Sequence, residues 1–127
     1  MSPDPAAVVD RYLAVVADLH AEPDALAVLL HPDARFVEHP NLVAPSGRRR
    51  EHSRALLAGH RFDVREHIVA GERVVTRATW TGTLARDAGA IAAGTELRAE
   101  CCMVFTVRDG RILDQENFDC YQPGAAA

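Results

Sequence analysis

Residues 111–121, RILDQENFDCY, gather more chemistry than any other stretch of the chain. They read as a β-strand after an RDG turn. Yet Asp114, Gln115, Glu116, Asn117 and Asp119 crowd a place where a small domain should be building core. Strand alternation puts Leu113, Gln115, Asn117, Asp119 and Tyr121 on one face. Ile112, Asp114, Glu116, Phe118 and Cys120 take the other. Alternation leaves open which face looks inward. Either the polar groups meet water, or one face lines a wet cavity. His39, in FVEHPN, carries an imidazole, a group that can serve as acid or base. Glu38 beside it should point the opposite way. Tyr12 falls on an apolar helical stripe, where a phenol is either core or a hydrogen-bond donor aimed inward.

The remaining reactive side chains form no such set. Cys101, Cys102 and Cys120 are odd in number and without repeated spacing, so they do not form a disulfide framework. His52, His60 and His67 do not fall at a metal-ligand spacing with each other or with a cysteine, and no metal is expected. The chain has 127 residues, 48% of them apolar, and a formal charge of -4. That charge favours neither nucleic acid nor an anionic membrane. All fourteen basic residues are arginine. Arg48–Arg50 would stand at a helix start, where cations oppose the helix dipole. The opening MSPDPAAVVD lacks the pattern of a signal peptide, and no segment reaches membrane-spanning length. A reduced, cytoplasmic protein without membrane or nucleic-acid partners is expected.

The elements that would position these residues can be read in order. Asp4 caps and Pro5 opens a first helix, with Val9, Tyr12, Leu13 and Val16 on one stripe. PDALAVLL forms a short second helix, and ARFVEHP a strand ended by Pro40. NLVAPSG reads as loop. RRREHSRALLAG reads as a third amphipathic helix closed by Gly59. The period then changes to two. FDVREHIV, VVTRATWTGTL, TELRAECCMVFTV and RILDQENFDCY are strands, joined by connections too short for crossover helices. Helices first and strands after, within one domain over 1–127, predict an α+β fold with a mostly antiparallel sheet.

LLHPDARFVEHP, GERVVTRATWTGT and VFTVRDGRILDQENFD, in that order and spacing, resemble the nuclear-transport-factor-2-like superfamily and its SnoaL-like branch. The resemblance implies a strongly curved sheet forming a cone-shaped half-barrel around three N-terminal helices, with an internal pocket. The branch includes ketosteroid isomerases, polyketide cyclases, epoxide hydrolases and dehydratases, besides members that only bind or scaffold, so the fold does not choose a chemistry. The resemblance puts Asp119 in the pocket as base, with Gln115 and Asn117 on the same face. His39 stands where the isomerases carry their catalytic aspartate, and would face Asp119 as its partner. Tyr12 matches a tyrosine that donates to an enolate oxygen. Trp80 and Phe36 would either pack core or floor the pocket. Cys102 takes the position of the isomerases' protonated aspartate and is a poor donor. Arg77-Ala78-Thr79 lacks the second carboxylate of an epoxide hydrolase. The implied activity is cofactor-independent acid–base chemistry of isomerase, cyclase or dehydratase type on a small apolar oxygenated molecule. The competing reading is a non-catalytic ligand-binding or dimerising module. The placement of His39 relative to Asp119 separates the two. The resemblance also implies a homodimer, with Ile112, Phe118 and one of Cys101 and Cys102 on the outer sheet face.

Overall fold

The computed structural model describes residues 4–39, 42–45 and 55–122, and of residues 42–45 the backbone alone. Two helices, α1 (Pro5–Ala17) and α2 (Pro23–Ala27), precede six strands. These are β1 (Leu30–His39), β2 (Leu42–Pro45), β3 (Leu57–Ala70), β4 (Arg73–Leu84), β5 (Glu96–Arg108) and β6 (Arg111–Tyr121). The strands form one curved sheet in the order β2-β1-β6-β5-β4-β3. Every neighbouring pair is antiparallel except β1 with β6. Among the described residues no helix is long and apolar enough to cross a membrane.

Helix α1 forms as its sequence dictates. The Asp4 side chain accepts from the Ala6 amide at 3.1 Å, and Pro5 occupies the first turn. Val8, Val9, Tyr12 and Leu13 are then buried against the concave face of the sheet. Each such side chain contributes about 1.5–3 kcal/mol when fully buried. The facing strands answer with Val74, Met103, Phe105, Val107 and Ile112. Tyr12 packs edge-on against Phe105, with ring centroids 5.8 Å apart. His67 fastens the outside of the helix by reaching Asp10 at 2.7 Å and Thr76 at 2.8 Å.

Two tight turns set the register of the long strands. Asp109 and Gly110 both have positive φ, 53° and 74°, which suits a two-residue hairpin loop between Arg108 and Arg111. Gly71 supplies the positive φ of the other turn. The two turns are tied together: Arg108 donates to both Glu72 carboxylate oxygens, at 3.1 and 3.0 Å. Those bonds hold the Glu72 carboxyl below its ordinary range.

Several expectations need correcting. The third helix lies for the most part outside the described residues, and Gly59 does not close it. Strand β3 already begins at Leu57, buried and paired with Leu84, and a register irregularity absorbs the step to Gly59. Residues 42–45, read as loop, are a strand paired with β1. Ile112 is not on the outer face but fully buried in the core. The cause is a bulge: Thr106 pairs with Asp114 and Val107 with Ile112, which leaves Leu113 as an extra residue. One extra residue reverses the facing of everything before it.

Candidate functional site

Beyond the Leu113 bulge, β6 alternates cleanly. Gln115 and Asn117 are buried, Asp119 is half-buried, and Phe118 and Cys120 are exposed. Their partners on β5 identify the inward face. Gln115, Asn117 and Asp119 pair with Phe105, Met103 and Cys101, all buried in the core. The polar face of the last strand therefore looks inward.

A directed hydrogen-bond chain runs along this face. The Tyr12 hydroxyl donates to Gln115 Oε1 at 2.5 Å. Gln115 Nε2 donates to Asn117 Oδ1 at 3.0 Å and points its other hydrogen at the Met103 sulfur, 3.9 Å away. A thioether is only an acceptor, which fixes the amide orientation of Gln115. The consequence passes to the next residue: the Asn117 oxygen is engaged, so its N–H groups are the end presented onward. Next in line is Asp119, whose Oδ1 is buried with no hydrogen-bond partner. Leaving such an acceptor unpaired costs about 1–3 kcal/mol. Of the buried side-chain polar atoms among the described residues, it alone is orphaned.

At one end of the concave face Val74, Met103 and Phe105 fill the space. At the other end the inward residues of β4 and β5 are Ala78, Trp80, Gly82, Leu97, Ala99 and Cys101, four of them small. Trp80 and Tyr121 flank Ala99 on either side, since both pair with it. Their rings stand nearly perpendicular, with centroids 6.1 Å apart. The Trp80 ring lies across Gly82, where an added Cβ would come within 2.6 Å of Trp80 Cη2. Gly82→Ala is therefore expected to displace the indole and lower stability by about 1–3 kcal/mol, read as a lower urea midpoint. No arginine stands on the inward face of the described strands, whereas Asp119 and Glu38 do.

Not all of the expected residues meet here. Gln115, Asn117, Asp119 and Trp80 share the concave face, and Phe36 is fully buried opposite Gln115. Tyr12 reaches the site through Gln115, to which its hydroxyl donates. His39 does not face Asp119. It pairs with Phe118, stacks on that ring at 4.6 Å, and lies 2.9 Å from Glu116 on the outer face. Parallel pairing matches Phe36 with Gln115 and Glu38 with Asn117, so Glu38 holds the inward position. Cys102 also faces out. It pairs with Phe118 and lines an outer groove of about 190 Å³ with Arg65, Arg77, Glu100 and Phe118. Counting from the turn assigned it one position off, because Ala99, Cys101, Met103 and Phe105 are the inward set of β5. His60, which has no metal-ligand spacing in the sequence, meets the Trp80 indole nitrogen instead. Its distance from Trp80, twenty residues along a hairpin, was a signal available in the sequence.

A family model described as the SnoaL-like domain matches residues 9–115. The chain belongs to the SnoaL-like domain family. No curated protein matches it. Three solved structures illustrate the shared SnoaL-like fold. AclR of Streptomyces galilaeus, described as a candidate hydroxylase, has a TM-score of 0.76 and 15% identity, covering 94% of this chain and 80% of its own. IdmH of Streptomyces antibioticus, described as a candidate polyketide cyclase, has a TM-score of 0.76 and 20% identity, covering 92% of both chains. An epoxide hydrolase of M. tuberculosis has a TM-score of 0.71 and 19% identity, covering 91% and 82%. At these identities the SnoaL-like fold is shared and the chemistry is not carried over.

Proposed function

We propose that this SnoaL-like protein is a cofactor-independent acid–base enzyme acting on a small, neutral, apolar oxygenated molecule. The observation that carries the reading is the orphaned Oδ1 of Asp119 on the concave face. A buried carboxylate oxygen without a donor is suited to accept a proton from a substrate carbon. Asn117, its oxygen engaged by Gln115, supplies N–H groups for the oxygen on which negative charge develops. Glu38, one strand over beside Asn117, replaces His39 as the candidate for returning the proton. Among the described residues two carboxylates and no guanidinium stand on this face, which suits a neutral ligand better than an anionic one. The ring surfaces of Trp80 and Tyr121 suit a flat one. Isomerisation, cyclisation and dehydration share this logic.

The test is deuterium uptake next to the carbonyl of 2-tetralone and related bicyclic ketones in heavy water. The enzyme reading expects uptake above the buffer rate, lost in Asp119→Asn. A second reading is a ligand-binding module without catalysis, favoured by the outward placement of His39, which leaves no imidazole opposite Asp119. Tight ketone binding without any uptake would select it.

The proposal includes a homodimer, working in the cytoplasm, that pairs outer sheet faces. Phe118 is 46% exposed there, beside the groove lined by Arg65, Arg77 and Cys102. Under two-fold symmetry each groove can receive the other subunit's Phe118. Sedimentation is expected to find a dimer at micromolar concentration and a monomer for Phe118→Asp. A monomeric parent chain refutes the pairing.

A further inference from the structure

We propose that His60 is a positioning residue that fixes the Trp80 indole as a wall of the ligand site; the proposal rests on the concave-face reading above. His60 stands on β3 opposite Gly82. Its Nδ1 lies 2.9 Å from Trp80 Nε1, and its Nε2 lies 2.8 Å from the Val16 carbonyl oxygen. An indole nitrogen can only donate. Nδ1 must therefore be bare, and Nε2 carries the hydrogen that it donates to Val16. That carbonyl is in the last turn of α1, among those with no partner within the helix. One neutral tautomer thus caps the helix and aims the indole.

The same helix carries Tyr12, which starts the chain through Gln115 to Asn117. Helix α1 consequently reaches the site on both sides: through His60 to Trp80, and through Tyr12 to Asn117. Gly82 makes room for the indole, and His60 selects where in that room it lies. The His60 ring also meets Phe62 at 5.7 Å and Trp80 at 6.2 Å, both at steep angles, so its own rotation is restricted.

Trp80 is the single tryptophan of the chain, so its indole N–H gives one unambiguous NMR peak. In the parent protein that hydrogen is expected to exchange slowly with water. His60→Leu removes both bonds. His60→Gln retains a donor within reach of Val16 but has no acceptor at the Nδ1 position, which guards against simple undocking of α1. Both variants are expected to lose protection by about tenfold or more and to bind 2-naphthol, a flat enol analogue, about tenfold more weakly by calorimetry. His60→Asn, with an oxygen near the Nδ1 position, is expected to restore both readouts. An indole still protected in His60→Leu and His60→Gln overturns the proposal. Lost protection with unchanged 2-naphthol affinity overturns the positioning role and leaves the site reading intact. A parent protein that binds no 2-naphthol overturns the site reading and this role with it.

Discussion

Asp119→Asn is expected to reduce proton exchange on a ketone substrate by about a thousandfold, within the range for loss of a general base. The fold should survive the change, because Asp119 makes no hydrogen bond through its buried Oδ1. Asparagine has nearly the same shape and removes a carboxylate from a poorly solvated position. Thermal stability is therefore expected to be unchanged or higher by about 1 kcal/mol. A residue kept for structure would behave in the opposite way, with activity falling only as far as the fold does. Exchange measurements and melting curves on the same preparations separate the two. Full activity in Asp119→Asn removes this carboxylate from the mechanism.

The largest effect on stability is expected at Gln115. It is buried between two partners that are themselves buried, Tyr12 and Asn117. Gln115→Leu removes the acceptor of the Tyr12 hydroxyl and the donor to the Asn117 oxygen together. At about 1–3 kcal/mol for each lost bond partner, the loss is roughly 2–6 kcal/mol. For a chain of this size that is a fall on the order of 10 °C or more in Tm. Tyr12→Phe strands one acceptor and is expected to cost about half as much. The ordering matters more than the absolute values. Equal losses in the two variants would mean that the chain of bonds does not run as described. Gln115→Leu should also weaken 2-naphthol binding, because Asn117 then loses the bond that orients it.

The extent to which this site was legible in the sequence follows from what each residue's position depends on. Helix α1 was legible down to its cap, because Asp4, Pro5 and the apolar stripe are local signals. The last four strands were legible because period two and glycine turns are local as well, and β6 has the bounds expected from RILDQENFDCY. The inward face of Gln115, Asn117 and Asp119 came from the family resemblance, since alternation is symmetric between faces. Ile112 was lost to a single extra residue at Leu113, which depends on pairing with β5. His39 and Cys102 were lost for a related reason. Each sits one residue from the inward position, and a motif without its strand pairing has no finer resolution than that. Glu38 and Cys101 were the residues that the parallel and antiparallel registers turned inward. The His60–Trp80 bond joins positions whose meeting depends on the register of β3 on β4.

The most direct measurement is a crystal structure of the protein with 2-naphthol bound. The ring is expected beside Trp80 and Tyr121, with its oxygen about 3 Å from Asn117 Nδ2 and its reactive edge toward Asp119 Oδ1. A ligand held only in the outer groove by Arg65, Arg77 and Phe118 would contradict it. So would an Asp119 Oδ1 that has turned away to accept a hydrogen bond from the protein itself.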